Sequence, residues 1–283
     1  MTNKLDRQEF LKMAGIYSLL LTAGCIQKNA EGRRALKLIP DSVLLSQSKA
    51  AYNDQKKKGK LVTSGPQYEA VKRATQRAIH STNKMYPGRT KGYEWEVVLF
   101  DDPKTVNAYA MPGGKVAIYT GLLPLCKTEA GLSTVIGHEF GHIINKHSNE
   151  RASQQISTSV LVAIGSFALS QSKQVDNDIK KAILKATGAG VSLGLILPFS
   201  RKHEHEADRM GIRLMADSGY DPAEAPRVWQ RFAQKYGSNK MASYMSTHPA
   251  SGDRMQRLSQ QVPEMQNLYR RASSQLGLGT TLV

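Results

Sequence analysis

The order of patterns along this 283-residue chain predicts an α+β fold, mainly helical, with a small antiparallel sheet. Three short runs rich in β-branched and aromatic residues lie close together between residues 94 and 120, and turn residues separate them. From Gly121 onward the apolar residues recur at helical spacing instead. One block of strands followed by a block of helices is typical of α+β proteins.

The elements up to the end of the sheet can be predicted one by one. Asp41 can cap a helix that ends in the basic cluster at 56–60, because helix dipoles favour acidic residues at the start and basic residues at the end. A second helix is predicted from about Tyr68 to Met85, before Pro87 and Gly88. Strands are predicted at 94–100, 107–111 and 115–120.

The chain is strongly basic, with a formal net charge of +16. Such a charge raises the question of anionic partners, such as nucleic acid or lipid headgroups. No paired Cys and His finger spacing and no aromatic RNA-binding strand motif accompanies it. We therefore expect a solvated surface in which lysine predominates, and no nucleic-acid partner.

The first 24 residues are predicted to be an export signal. A basic start precedes the apolar run from Met13 to Gly24, which is too short to span a bilayer. The run ends at Cys25 in a sequence that resembles a bacterial lipobox, although Thr22 weakens the match; the alternative is an N-terminal helix with a core cysteine. Residues 6–12 also resemble a twin-arginine motif with Gln in place of one Arg, so the export route stays open.

Cysteine usage and the remaining apolar segments fit this interpretation. If Cys25 carries lipid, Cys126 has no intramolecular partner, and no disulfide is expected. The apolar segments Val160–Leu169 and Ala182–Leu197 are predicted to be buried helices. Partial insertion into a membrane surface is the alternative.

Residues His138, Glu139 and His142 form the pattern that carries chemistry. On a helix the two histidines lie four residues apart on one face, so both imidazoles can bind one metal ion. Glu139 is then placed to hold a water molecule without being a ligand, which is the HExxH signature of zinc hydrolases. Apolar residues flank the motif on both sides, which favours a buried helix over an exposed one with incidental polar residues.

A zinc hydrolase needs a third protein ligand. The metzincin pattern fails, because Asn145 and Ser148 stand where it requires Gly and His. Downstream, Glu204 and Asp208 are four residues apart, so that one can bind the metal while the other orients a ligand histidine. Glu206 points elsewhere on that helix, and we take Glu204 as the ligand.

Together with further motifs in the same order along the chain, the metal-site residues resemble those of one protein family, over about residues 32–258. It comprises the gluzincin zinc metallopeptidases that include CAAX prenyl endopeptidases, a mitochondrial inner-membrane stress protease and bacterial outer-membrane lipoprotein metalloproteases. The soluble lipoprotein branch is the most similar. The motifs that carry the resemblance are Asn107–Gly114, Thr120–Leu123, His138–His142, Ser200-Arg201 with Glu204, Ala207-Asp208, and His248-Pro249 with Arg254.

The resemblance implies a zincin-like domain that holds one Zn²⁺ per chain. It implies His138, His142 and Glu204 as ligands, with Asp208 as the partner of the third ligand. It also implies that His248 lines the site and that Arg254 supports it. From the sequence alone, His248 could equally be a turn residue.

Chemistry and substrate binding are expected to follow from these residues. Glu139 would take a proton from the attacking water and deliver it to the leaving amine, while His248 is the candidate donor to the oxyanion. An edge strand could align an extended peptide through main-chain hydrogen bonds. Its residues are Asn107, Ala108, Tyr109 and Ala110.

The expected protein is thus a zinc endopeptidase that acts on misfolded or unassembled proteins in the envelope of a Gram-negative bacterium. Lipid on Cys25 would anchor it, with uncharged Ile26 favouring the outer membrane and a periplasmic orientation. The alternative is a lipid-anchored, chaperone-like binding factor whose zinc site is latent, plugged by His147, His203, His205 or His248. The expected segments are 1–24 (signal peptide), 25–65 (anchor and helical segment), 66–262 (peptidase domain) and 263–283 (tail).

Overall fold

A computed structural model of the protein describes residues 25–169, 199–236, 243–248 and 253–283, and most of these residues belong to helices. The six strands described are β1 (Ile26–Lys28), β2 (Arg34–Leu36), β3 (Leu61–Val62), β4 (Glu96–Phe100), β5 (Ala108–Met111) and β6 (Lys115–Tyr119). The helices described are α1 (Asp41–Lys58), α2 (Pro66–Met85), α3 (Pro87–Thr90), α4 (Leu123–Cys126), α5 (Glu129–Asn145), α6 (His147–Leu169), α7 (Arg201–Asp217), α8 (Glu224–Tyr236), α9 (Ser243–Thr247) and α10 (Arg254–Arg270).

The described residues belong to two compact units. The first contains residues 25–44 and 146–169, and the second contains residues 45–145 together with those from 199 to 283. Helix α10 runs through residue 262, the end expected for the peptidase domain, and the chain beyond it belongs to the second unit.

In the first unit, the β1–β2 hairpin and the start of α6 are joined by polar contacts. The guanidinium of Arg33 donates to both carboxylate oxygens of Glu150, at 2.7 and 2.6 Å. The amide of Asn149 donates to the main-chain oxygen of Ile39 at 2.7 Å. Cys25 is half-buried at the beginning of this unit, and its neighbour Ile26 is exposed.

Of the three predicted apolar segments, one lies within the described residues. Val160–Leu169 forms the end of helix α6. The predicted export signal before Cys25 and the predicted helix Ala182–Leu197 lie outside the described residues. Within the described part of the chain, no helix is both long and apolar enough to cross a bilayer.

The second unit contains a four-stranded sheet in the order β3-β4-β6-β5. The fold class predicted from the sequence is confirmed, but the sheet is mixed, because β4 and β6 pair in parallel while the other pairs are antiparallel. After β4 the chain crosses to the edge, forms β5, and returns as β6 between them. Gly113 and Gly114 permit the return turn with φ of 90° and 80°, values that favour glycine.

Helices cover this sheet and place its edge strand. The fully buried Tyr52 of α1 donates from its hydroxyl to the main-chain oxygen of Val116 in β6, at 3.3 Å. Helix α5 packs against β5, which among the described strands pairs only with β6 and so lies at one edge of the sheet. The helix of the HExxH motif is therefore adjacent to a strand with one unpaired side.

Helices α5 and α7 approach each other unusually closely, and glycines at the crossing permit it. A Cβ on Gly137 would lie 2.6 Å from the carbonyl oxygen of Gly211, and one on Gly141 would lie 2.7 Å from that of Ala207. A Cβ on Gly211 would lie 2.7 Å from the main-chain nitrogen of His138. Since these are backbone atoms that cannot rotate away, any side chain here would push the helices apart.

We therefore expect Gly137→Ala to destabilise the protein by about 1–3 kcal/mol through overpacking. Helix propensity alone predicts the opposite sign, because alanine favours a helix interior by about 1 kcal/mol over glycine. Chemical unfolding measures the change. The control is Gly88→Ala in α3, where a Cβ has open space around it and stability should remain within about 0.5 kcal/mol of the parent. A Gly137→Ala variant as stable as the parent would contradict the close-packing account.

Candidate metal centre

The two histidines of the HExxH motif face each other on helix α5, which is buried along its whole length. Because they are one turn apart, the Nε2 atoms of His138 and His142 lie 3.0 Å from each other. Both side chains are almost completely buried. The predicted juxtaposition is present in the structure.

Helix α7 brings two carboxylates to these imidazoles. The hydroxyl of Ser200 caps the helix by accepting from the main-chain N–H of His203 at 3.2 Å, which fixes where the helix begins. One turn inside, the carboxylate of Glu204 lies 3.4 Å from Nε2 of each of His138 and His142. One turn further, Asp208 lies 2.8 Å from Nδ1 of His138, on the opposite side of that ring.

The imidazole of His248 completes the cluster from the end of α9. Its Nδ1 lies 3.1 Å from Nε2 of His138 and 3.1 Å from Oε1 of Glu204, while its Nε2 lies 3.5 Å from Oε1 of Glu139. The ring is thus within the group of potential ligands and does more than line the site. Of the other candidate plugs, His205 lies outside the group, with its Nε2 3.7 Å from Asp253.

The donor set fits a zinc ion. Ligand atoms of His138, His142, Glu204 and His248 all lie within 4.8 Å of one another. Two atoms bound to one tetrahedral zinc at about 2.0–2.1 Å are about 3.3 Å apart. Five of the six separations in this group are 3.0–3.4 Å. In addition, the buried Oε2 of Glu204 has no hydrogen-bond partner among the described residues, so a metal would satisfy it.

Charge in the cluster is arranged so that the carboxylates stay ionised. Burial acts to raise the pKa of Glu204, but the imidazoles of His248 and His138 hold it well below its ordinary value. Burial and Arg254 act to lower the pKa of His138, whereas the carboxylates of Glu204 and Asp208 raise it to about 9. Because an imidazole must be neutral to bind a metal, the same carboxylates that raise this pKa make metal binding compete with protonation.

Arg254 supports the cluster from helix α10. It donates two hydrogen bonds to the carboxylate of Asp208, at 2.7 and 2.6 Å, and its Nη1 lies 3.3 Å from Oε2 of Glu204. Its guanidinium also stacks on the indole of Trp229, 3.4 Å from the ring centroid. Asp208 and Arg254 thus form a buried, paired unit behind His138, whereas the resemblance makes Asp208 the partner of the third ligand, Glu204.

Glu139 has a partner that the sequence analysis did not identify. The hydroxyl of Tyr244 donates to Oε1 of Glu139 at 2.8 Å, and Tyr244 is fully buried. Its position four residues before His248 was the available signal, since that spacing on a helix places both side chains on one face. Trp229 and Phe199, which contact the site histidines, were also missed. Isolated aromatic residues look the same in a sequence whether they fill a core or a site.

The predicted edge strand is connected to the same site. Asn107 precedes β5, and Ala108, Tyr109 and Ala110 belong to it. The main-chain oxygen of Val106 accepts from the N–H of Tyr244 at 3.1 Å, so that the beginning of the strand is joined directly to α9. The structure therefore brings the strand segment close to the residues around Glu139.

Comparison with known proteins gives relatives with named activities. The chain is 36% identical over 174 residues to a mitochondrial metalloendopeptidase OMA1 of Schizosaccharomyces pombe, covering 61% of this chain and 48% of that protein. It is 38% identical over 170 residues to the OMA1 protein of Arabidopsis thaliana, covering 60% and 32%. It is 30% identical over 151 residues to a beta-barrel assembly-enhancing protease of Yersinia pestis, covering 53% and 31%. The chain thus spans less than half the length of each of these relatives.

A family model gives the same classification. The model of peptidase family M48 matches residues 67–262, a range that contains the sheet from β4 onward and every residue of the metal-ligand cluster. This match confirms the resemblance to metallopeptidases that the motifs predict. Because it covers more than half of the chain, the chain belongs to peptidase family M48.

Proposed function

We propose that the protein is a zinc-dependent endopeptidase of the bacterial cell envelope that hydrolyses peptide bonds of misfolded or unassembled proteins. The observation that carries this proposal is the buried cluster of His138, His142 and Glu204, with the carboxylate of Glu139 beside it. A structural zinc site has no use for a further buried carboxylate that is held next to the ligands but is not one of them. A hydrolytic site needs such a group as its base.

The three proposed ligands would hold the zinc, which when bound supplies a Lewis acid for the carbonyl and lowers the pKa of water. Asp208 accepts from Nδ1 of His138, which fixes the tautomer and leaves Nε2 free as a ligand atom. Arg254 in turn holds Asp208 through two hydrogen bonds. The orientation of His138 is thereby set by residues from α7 and α10.

Glu139 would act as the general base and then as the general acid. One of its oxygens, Oε1, accepts the hydroxyl of Tyr244, whereas Oε2 has no hydrogen-bond partner in the described part of the chain. Oε2 is therefore the oxygen available to take a proton from the attacking water. Delivery of the same proton to the leaving amine completes the hydrolysis of the peptide bond.

The substrate is proposed to bind along the edge strand. The free side of β5 offers main-chain donors and acceptors to an extended peptide, which gives alignment with little dependence on side chains. Such binding suits unfolded or misassembled proteins, which expose extended segments. The name of the Yersinia pestis relative, a beta-barrel assembly-enhancing protease, supports envelope proteins as substrates.

A second candidate function is that of a lipid-anchored binding or chaperone-like factor with a latent zinc site. The observation in its favour is that Nδ1 of His248 lies among the ligand atoms, where it would take the position that a substrate needs. In that position the ring cannot also donate to an oxyanion. The endopeptidase proposal thus requires His248 to move before catalysis, whereas the binding factor does not.

We expect Glu139→Gln to retain the fold and the zinc but to lose proteolysis. Gln keeps an oxygen that can accept the Tyr244 hydroxyl but provides no proton acceptor for water, and general-base catalysis is worth roughly 10²–10⁴-fold. The assay is casein cleavage by purified protein, with zinc content and melting temperature measured on the same samples. If the Glu139→Gln variant contains zinc and cleaves casein as fast as the parent, the mechanism is rejected. If the parent contains zinc but does not cleave casein, the binding-factor function is favoured.

The third ligand can be tested with two substitutions on one helix. Glu204→Gln is expected to reduce zinc affinity by more than about 100-fold. Substitution of residues that only orient a ligand already lowers metal affinity by about 10–100-fold. Glu206→Gln is the matched control, since Glu206 is equally buried on α7 but lies outside the ligand cluster. Competition with a chromogenic chelator measures both affinities. The reverse ranking would move the third ligand to Glu206.

Localisation is proposed to be the outer membrane, facing the periplasm, through lipid on Cys25. Cys25→Ser should therefore release the protein from membranes or leave it unprocessed, while zinc binding stays at the parent level. Fractionation after a high-salt wash measures this, because salt removes contacts made by surface lysines. Membrane association equal to that of the parent would exclude the lipid anchor.

A further inference from the structure

We propose that Tyr244 is a positioning residue that fixes the orientation of the Glu139 carboxylate for proton transfer. This inference rests on the proposed peptidase function and adds a residue to it. Its basis is the hydrogen bond of 2.8 Å from the Tyr244 hydroxyl to Oε1 of Glu139, between two side chains that are almost fully buried. No hydrogen bond within the described part of the chain holds Oε2. The two oxygens of Glu139 therefore have different environments.

Packing prevents the Tyr244 ring from moving. It is stacked on the His248 ring, with centroids 4.5 Å apart and planes 17° apart, and on the Trp229 ring at 5.9 Å and 22°. Its main-chain N–H donates to Val106 at 3.1 Å, and its main-chain oxygen accepts from His248 at 2.9 Å. If His248 moves, the Trp229 stack and the main-chain bond to Val106 still hold Tyr244 with its hydroxyl directed at Glu139.

This arrangement selects which carboxylate oxygen does the chemistry. A glutamate side chain has a freely turning carboxylate, and a base that can turn spends part of its time out of line with the water it must deprotonate. A donor bound to Oε1 restricts that rotation and leaves Oε2 without a hydrogen-bond partner among the described residues. Burial and the charge of Glu139 raise the pKa of Tyr244 well above its ordinary value, so the phenol keeps its proton and remains a donor.

The test is Tyr244→Phe, with Tyr220→Phe as a matched control. Tyr220 is also fully buried, and its hydroxyl donates to Glu129 on the same helix α5 at 3.0 Å, but at the helix start, away from the site. For Tyr244→Phe we expect kcat to fall about 10- to 100-fold, as misplacement of a reacting group does. KM and zinc content should stay unchanged. Tyr220→Phe should keep kcat within about twofold while losing a comparable hydrogen bond.

A double-mutant cycle separates positioning from a general effect on the fold. In the Glu139→Gln background, Tyr244→Phe should lower the residual rate by less than about twofold, because the base it positions is gone. A 10-fold fall of the residual rate in the Glu139→Gln background would overturn the inference. It would also be overturned if the parent is active and Tyr244→Phe has the same kcat as the parent; the proposed peptidase function would then still stand.

A second measurement needs no catalysis and remains decisive if the parent does not cleave peptides. In metal-free protein, Tyr244→Phe and Glu139→Ala should be coupled in their effect on the unfolding equilibrium by at least about threefold, as expected of directly bonded side chains. The Tyr220→Phe and Glu139→Ala pair should be additive, since those residues do not touch. Additivity of the Tyr244 pair would overturn the inference. If the parent protein does not cleave peptides but Tyr244→Phe and Glu139→Ala are coupled, the peptidase function is rejected. The inference that Tyr244 fixes the Glu139 carboxylate is then retained.

Discussion

The close approach of helices α5 and α7 is the constraint on which the rest of the site depends. One helix supplies His138, Glu139 and His142, and the other supplies Glu204 and Asp208. Helices ordinarily pack with their axes about 8–10 Å apart. The close backbone contact found here brings the carboxylate of Glu204 to within 3.4 Å of both imidazoles of the other helix. Glycines at the crossing permit this close approach, although glycine stabilises a helix less than alanine would.

Charge balance is the second requirement, because this close packing excludes water. A buried carboxylate that lacks a partner is strongly destabilising. Here Arg254 neutralises Asp208 and lies near Glu204, and the Trp229 face covers the guanidinium. The cluster therefore requires α8 and α10 to pack behind α7. A metal site made of two helices depends in this way on four.

The third feature is the short helix α9, which joins binding and catalysis. Its N–H at Tyr244 is bonded to Val106 next to the edge strand, its Tyr244 hydroxyl is bonded to Glu139, and the residue that follows it is His248. A peptide that lies along β5 would therefore contact a segment already connected to the base and to the histidine in the ligand group. This connection gives one element through which substrate binding and the position of His248 could be coupled.

The sequence by itself determined the fold class from the order of its strand and helix patterns. It also determined the helix of His138 and His142 and the pair Glu204 and Asp208, because spacing of three or four residues on a helix is a local property. His248 entered only through the family resemblance. The sequence did not determine the parallel pairing of β4 with β6, which depends on where the chain crosses the sheet.

Only the tertiary structure decided which distant side chains meet. The hydrogen bond of Tyr244 to Glu139 and the placement of His248 among the ligands join residues more than one hundred positions apart. The glycines at the helix crossing belong to the same class: in the sequence they look like weak points of two helices, and their purpose is visible only when the opposing backbone is present. Contacts of this kind are set by packing between elements, for which the local pattern of residues carries no signal.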